Sequence, residues 1–223
     1  ARLPSIFAGS LWCAMDLGSS AKGERYLLVG GKEAAASLGR GSYGQVCPAW
    51  DTGDERLVAI KVQPRDSETA RKEMMFFHSL PRHPNVLHLL DVFVSSAGAD
   101  LSLVFEYCIN SLHDIYVRAQ GFLDWGAALR YSQQVLQGIA HIHSNCVAHR
   151  DISMSNVLMK EEGGVCVLAD LGLAACASSI VLERPVTTAW YRAPEACFPH
   201  AQVSTKQMAL DMWSFGALVA ALW

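Results

Sequence analysis

A few polar residues sit where an apolar strand or a tight turn would not ordinarily hold them. Lys61 closes the run Val58-Ala59-Ile60-Lys61. A buried ammonium is costly unless it is paired. Two uses offset that cost: gripping phosphate oxygens, and pairing with a carboxylate. Glu73, in the segment that follows, offers the carboxylate. The plain alternative for Lys61 is a surface lysine at a strand end. Further on, His149-Arg150-Asp151 is followed by Asn156 and then by Asp170-Leu171-Gly172. A carboxylate such as Asp151 can accept the proton of an attacking hydroxyl. Asn156 and Asp170 supply the hard oxygens that Mg2+ prefers. Upstream lies Leu38-Gly39-Arg40-Gly41-Ser42-Tyr43-Gly44-Gln45-Val46. Glycines spaced this way suit two readings. A dinucleotide-binding fold needs a strand before the glycines and a helix directly after them. Val46 and its successors read as another strand, which disfavours that fold. A hairpin laid over a nucleotide's phosphates uses glycine so that backbone N–H groups approach closely.

These groups need elements to place them. Residues 34–62 read as strand, glycine turn and strand, with Leu57-Val58-Ala59-Ile60-Lys61-Val62 a buried strand. Gln63-Pro64-Arg65-Asp66 reads as a turn. Ser67 reads as the N-cap of a helix with Phe76, Phe77 and Leu80 on one face. Strands are expected near 88–95 and 101–107, with Ser95-Ser96-Ala97-Gly98 as the turn between them. A long helix over Asp124 to Ser144 carries Ala128, Val135, Leu136, Ile139 and Ile142 on its apolar side. Short strands near 157–160 and 165–168 flank Gly163-Gly164. A final helix opens between Ser204 and Asp211. Strands first and helices second give an α+β fold in two lobes. Residues 1–25 read as a leader or linker.

Composition excludes several classes. The chain has 223 residues, room for one large domain or two small lobes, and is 51% hydrophobic and 17% charged. Disorder is thereby excluded as the main state. Lys+Arg total 18 against 21 Asp+Glu, so no cationic surplus exists to neutralise a nucleic-acid backbone. The most apolar stretch, Phe215 to Trp223, is too short to span a bilayer. Neither nucleic acid nor membrane is expected as a partner. The 7 cysteines form no C-x-x-C pair and no zinc spacing. As free thiols they suit the reducing cytoplasm or nucleus.

The order of the motifs is more specific than any one of them. Glycine loop, strand lysine, helix glutamate, His-Arg-Asp with its asparagine, and Asp-Leu-Gly are followed by Ala193-Pro194-Glu195. Then comes Asp211-Met212-Trp213-Ser214-Phe215-Gly216. From about residue 25 to 223 the chain resembles the eukaryotic protein kinases. His83-Pro84-Asn85-Val86-Leu87-His88-Leu89-Leu90-Asp91-Val92 looks like the group that holds the cyclin-dependent and MAP kinases. So do Leu103-Val104-Phe105-Glu106-Tyr107 and Thr187-Thr188-Ala189-Trp190-Tyr191-Arg192. Ser67 to Glu73 partly echoes the cyclin-binding helix.

The resemblance implies a bilobal kinase-like α+β fold. Its β-rich N-lobe would cover about 26–107, its hinge about 106–111 and its mainly helical C-lobe about 112–223. The C-lobe is expected to be incomplete, cut in the central helix, because such domains continue for several helices past the one holding Asp211. ATP and Mg2+ are the implied cofactors. A protein substrate phosphorylated on Ser or Thr is the implied partner, with a cyclin-like or other regulatory subunit beside it. Leu38, Gly39, Gly41, Ser42, Tyr43 and Gly44 would form the lid on ATP. Val46, Ala59 and Leu158 would sandwich the adenine, Phe105 would be the gatekeeper, and the backbone of Glu106 and Cys108 would meet the adenine edge. Lys61 would hold the α- and β-phosphates, steadied by Glu73, and its replacement by methionine would leave the fold intact. Asp151 would orient the substrate hydroxyl, and Asn156 and Asp170 would hold Mg2+. Phe77, Leu89, His149 and Leu171 would form a spine anchored by Asp211.

The chain departs from the family's pattern at three places. Ser153 stands where Ser/Thr kinases carry a lysine that touches the transferred phosphate. It offers a neutral hydrogen bond where a charge-assisted one is roughly twice as strong, so either turnover is reduced or a cation from elsewhere substitutes. The spacing from Lys61 to Glu73 is shorter than usual, with Glu68 as a lesser alternative partner. Glu183 falls in the slot of the activating phosphothreonine, where a carboxylate carries about half the charge of a phosphate and would pair with Arg150. Two functions stay open: an active Ser/Thr kinase, and a pseudokinase or scaffold that keeps the fold with weak or no turnover.

Overall fold

The computed structural model describes residues 25–29, 40–41, 44–95, 98–161, 163–177, 188–197 and 207–223. Leu38, Gly39, Ser42, Tyr43, Glu183 and Ser204, with the expected leader before residue 25, lie outside the described residues. The chain forms two units. One runs up to Met74 and resumes from His88 to Tyr107; the other comprises Met75–Leu87 and Cys108–Trp223.

The first unit is built on one antiparallel sheet. Its strands are β1 (Tyr26–Leu28), β2 (Arg40–Gly41), β3 (Gly44–Asp51), β4 (Arg56–Pro64), β5 (Leu89–Val94) and β6 (Asp100–Glu106). Their order is β1-β3-β4-β6-β5, with β2 paired to β3. Alternation along each strand gives the sheet two faces. On one face the register aligns Cys47 with Ile60, Ala49 with Val58, and Ile60 with Val104. These residues, with Tyr26, Leu28 and Phe93, make a buried apolar cluster. The opposite face aligns Val46 with Lys61, Pro48 with Ala59, and Ala59 with Phe105. Pro48 is tolerated inside β3 because it falls just past the last β1 pair, Leu28 with Ala49. The expected turn at Gln63-Pro64 is corrected: β4 continues through both, which pair with Leu101 and Asp100 of β6.

Asp51, 2% exposed, fixes the turn between β3 and β4. Its Oδ1 accepts the Gly53 and Asp54 amides at 2.9 and 3.3 Å, while Arg25 grips both carboxylate oxygens at 2.5 and 2.7 Å. Burial works to raise the Asp51 carboxyl. The Arg25 guanidinium and the two amides outweigh it and hold the group below its ordinary value. A depressed folded-state value contributes stability that is full above the unfolded value, about 3.9. That contribution is lost as pH falls through the folded value. Between about pH 7 and pH 3, Asp51→Asn is therefore expected to lose less stability than the wild type. Urea unfolding at each pH, followed by circular dichroism, checks this; equal losses would remove the ion pair from the acid response.

Helix α1 (Glu68–Ser79) starts where expected, with Ala70 N–H donating to Ser67 Oγ at 3.4 Å and Phe76 and Phe77 buried. It begins in the first unit and ends in the second. The second unit holds α2 (Leu112–Arg118), α3 (Trp125–Ser144) and α4 (Gln207–Leu222). Its small sheets are β10 (Cys166–Leu168), β9 (Val157–Met159) and β7 (Asn110–Ser111) in that order, and β11 (Ala175–Cys176) with β8 (Val147–Ala148). The α2 helix is absent from the sequence reading. A capping box starts it: Ser111 Oγ accepts the Asp114 amide at 3.1 Å, and Asp114 Oδ2 accepts the Ser111 amide at 2.8 Å.

Asp124 caps α3 by accepting the Ala127 amide at 3.0 Å. Ala128, Val135, Ile139 and Ile142 are buried as the periodicity predicts, whereas Leu136 is 41% exposed and is corrected to the outer face. Gly138 lets α3 press closely on its neighbours: a Cβ there would lie 2.6 Å from the Asn85 carbonyl oxygen and 3.0 Å from Leu168 Cδ1. The segment after α1 is tied to α3 by His141 Nε2 on the Pro81 carbonyl at 2.8 Å. Asn85 Nδ2 adds bonds to Gln134 Oε1 and the Cys166 carbonyl at 3.2 and 2.9 Å. No helix of the described residues is long and apolar enough to cross a membrane.

Candidate active site

In the first unit the strand lysine and the helix glutamate meet. Lys61 Nζ donates to both Glu73 oxygens at 2.8 Å, with Lys61 8% and Glu73 1% exposed. The surface-lysine alternative is thereby excluded. Glu68 instead pairs with Lys72 one turn along α1, at 2.7 Å. A second donor reaches the same carboxylate: Gln63 Nε2 lies 2.8 Å from Glu73 Oε2. Read as part of a turn, Gln63 carried no signal in the sequence.

Around Lys61 the sheet face is apolar and not fully covered. Val46 and Ala59 are half-buried, while Cys47, Val58 and Ile60 on the other face are at most 2% exposed. Gly44, with φ at 144°, sits where a Cβ would lie 2.6 Å from the Val62 carbonyl oxygen, so the hairpin over β4 requires glycine there. Gly41 pairs with it across β2 and β3. Phe105 is buried beside Ala59 on β6, and Glu106 follows half-buried. In the second unit Leu158 is likewise half-buried between the buried Val157 and Met159, and Cys108 is half-buried.

The second unit assembles the carboxylate cluster. Asn156 Nδ2 donates to the Asp151 carbonyl and to Asp151 Oδ2, both at 2.8 Å. Only the amide nitrogen can do this, so Asn156 Oδ1 faces the other way. Asp151 Oδ1 accepts the amide and the hydroxyl of Thr188, each at 3.0 Å. Thr188 was missed as a site residue: two adjacent threonines gave no ground for choosing one. Asp170 is linked to Asn156 through its neighbour, Ala169 N–H donating to the Asn156 carbonyl at 2.9 Å. Arg150 and Asp170 both adopt left-handed backbone, φ 71° and 62°, a strain that structures concentrate at functional positions. Ser153 is 2% exposed and makes no side-chain cap to the turn it precedes.

Asp211 holds the loop in place from α4. Fully buried, it accepts the His149 amide on Oδ2 at 2.8 Å and the Arg150 amide on Oδ1 at 2.7 Å. His143 Nε2 adds a contact of 2.7 Å to Oδ2, a partner the sequence did not suggest. His149 accepts the Asp151 amide on Nδ1 and meets the Ala169 carbonyl with Nε2 at 2.9 Å. Its proton is therefore on Nε2.

The protein kinase domain model matches residues 33–223. Mitogen-activated protein kinase 15 of Caenorhabditis elegans is 34% identical over 200 residues, 82% of this chain and 41% of that protein. Cyclin-dependent kinase 10 of Mus musculus is 33% identical over 194 residues, 83% of this chain and 52% of that protein. Extracellular signal-regulated kinase 2 of Dictyostelium discoideum is 33% identical over 204 residues, 85% of this chain and 54% of that protein. The chain spans about half the length of the curated relatives it matches. With a β-rich N-terminal part, a helical C-terminal part and these motifs in order, the chain belongs to the protein kinase family, in the group that holds the MAP and cyclin-dependent kinases.

Proposed function

We propose that the chain transfers the terminal phosphoryl group of ATP to Ser or Thr hydroxyls of protein substrates. The buried Lys61–Glu73 pair is the observation that carries this reading. A buried ammonium, 8% exposed and steadied by Glu73, is the kind of donor that phosphate oxygens accept from. In the first unit Val46 and Ala59 are half-buried apolar residues suited to an adenine ring, with Phe105 paired to Ala59; the family resemblance adds Glu106, Cys108 and Leu158 to that role. Gly41 and Gly44, with Leu38, Gly39, Ser42 and Tyr43, would cover the phosphates. The donor set fits Mg2+: Asn156 presents its carbonyl oxygen and Asp170 a carboxylate, both hard ligands. When bound, the ion neutralises charge on the phosphates. Asp151 orients the attacking hydroxyl and accepts its proton, and Thr188 holds the carboxylate for that task. Catalysis is then mainly positioning and electrostatics. A cyclin-like or other regulatory subunit is the partner the group suggests. The free cysteines suit a cytoplasmic or nuclear setting.

A second reading, a pseudokinase or scaffold, is favoured by Ser153 alone. Purified protein with Mg-ATP and a generic basic protein substrate is expected to transfer phosphate. Ser153→Lys is expected to raise kcat by about 10- to 100-fold, since a hydrogen bond to a charged group contributes roughly 1.5–3 kcal/mol. An unchanged kcat would show that Ser153 does not limit the rate. Binding of Mg-ATP without transfer by either variant would establish the scaffold.

A further inference from the structure

We infer that Gln63 is a positioning residue for the phosphate-holding pair, a second donor that keeps Glu73 in place while Lys61 turns to the nucleotide. The inference rests on the reading of Lys61 as the residue that holds phosphate. Lys61 and Gln63 are alternate residues of β4, so both side chains leave the same face of the sheet. Both reach Glu73 on α1, Lys61 Nζ at 2.8 Å from each oxygen and Gln63 Nε2 at 2.8 Å from Oε2. Gln63 and Glu73 are each 1% exposed, so water does not stand in for either.

A carboxylate only accepts, and this sets the amide. Nε2 faces Glu73, and Oε1 is turned away, buried and without a hydrogen-bond partner. Leucine or methionine would fill the same space with no orphaned oxygen. The amide therefore leaves one end unsatisfied while its other end holds the carboxylate. Gly44 lies against the same side chain: a Cβ there would be 2.8 Å from Gln63 Cγ. Gln63 thus joins the glycine hairpin, β4 and α1 at one point. The Lys61 ammonium has three protons and cannot give them in full to Glu73 and to phosphates at once. As phosphates compete for Lys61, the bond from Gln63 to Glu73 is untouched, and α1 stays on β4 through the exchange.

The test uses the full protein with Mg-ATP and a generic basic protein substrate. Gln63→Leu is expected to raise KM for Mg-ATP about tenfold, with a smaller change in kcat. Gln63→Glu sets a second carboxylate against Glu73. It should lose at least as much near neutrality and recover toward wild type as pH falls, because the introduced carboxyl, once protonated, donates an O–H to Glu73 as the amide does. Acid recovery is the signature that mere packing would not give. A wild-type protein that neither binds Mg-ATP nor transfers phosphate would overturn the kinase reading and this inference with it. An active wild type with an unchanged KM in Gln63→Leu, or a Gln63→Glu loss that persists at acid pH, would overturn the role of Gln63 alone. If Gln63→Leu does not fold, the pH profile of Gln63→Glu decides.

Discussion

Replacing Asp151 with asparagine is expected to lower kcat by about 10²- to 10⁴-fold, the usual contribution of a positioned acid or base, while KM for Mg-ATP changes little. Both carboxylate oxygens are held, and Oδ2 keeps a second lone pair for the hydroxyl proton. Oδ2 takes the Asn156 amide at 2.8 Å, and Oδ1 takes the amide and hydroxyl of Thr188 at 3.0 Å. An asparagine keeps one acceptor oxygen. Its NH2 must then face either the Asn156 NH2 or the Thr188 N–H, donor against donor. The substitution removes the proton acceptor and also loosens at least one of the three bonds that aim it. Single-turnover phosphate transfer separates the chemical step from product release. A full rate in Asp151→Asn would show that the hydroxyl proton goes elsewhere.

The sequence revealed this site unevenly, and the differences have physical causes. Lys61 was legible because a charge in an apolar run is a local anomaly, whereas Asp151, Asn156 and Asp170 were legible through the order of the motifs that hold them. Glu73 was legible as the partner because the helix cap at Ser67 sets its phase. Thr188 was not, since its role depends on a contact with a residue 37 positions away. Gln63 was not, because proline beside it suggested a turn, and only the pairing of both residues with β6 carries the strand past them. The α2 helix was missed for a related reason. It buries only Leu112, so its periodicity is too weak to read, and the capping box starts it instead. Leu136 was assigned inward on hydrophobicity alone, although it lies off the stripe made by Val135, Ile139 and Ile142.

Lys61→Met is expected to lower kcat/KM by about 10²- to 10³-fold, comparable to removal of one preorganised charge donor. It should also destabilise the protein without unfolding it. Glu73 is 1% exposed, and the change leaves its carboxylate with the Gln63 amide but without the ammonium. Breaking a buried pair from one side costs roughly 3–5 kcal/mol. For a domain of this size that corresponds to a fall in Tm of about 6–20 °C. Adding Glu73→Gln removes the stranded charge, so the double variant should regain most of the lost Tm and none of the turnover. Calorimetry and phosphate-transfer assays on the same samples separate the two effects. If the double variant regains activity together with stability, Lys61 does not hold phosphate.

Asp211 has a bearing on how the chain is made. It lies 62 and 61 positions beyond the two backbone amides that it holds. At about 5–20 residues per second of synthesis, those amides wait roughly 3–12 s for their acceptor. A nascent chain that has just exposed Asp151 has no fixed place for it. Through that interval the buried stripe of α3 is also without α4, which places it within reach of chaperones. The Asp151 carboxylate is thus synthesised early and set in place late, by a residue the ribosome supplies only at the far helix.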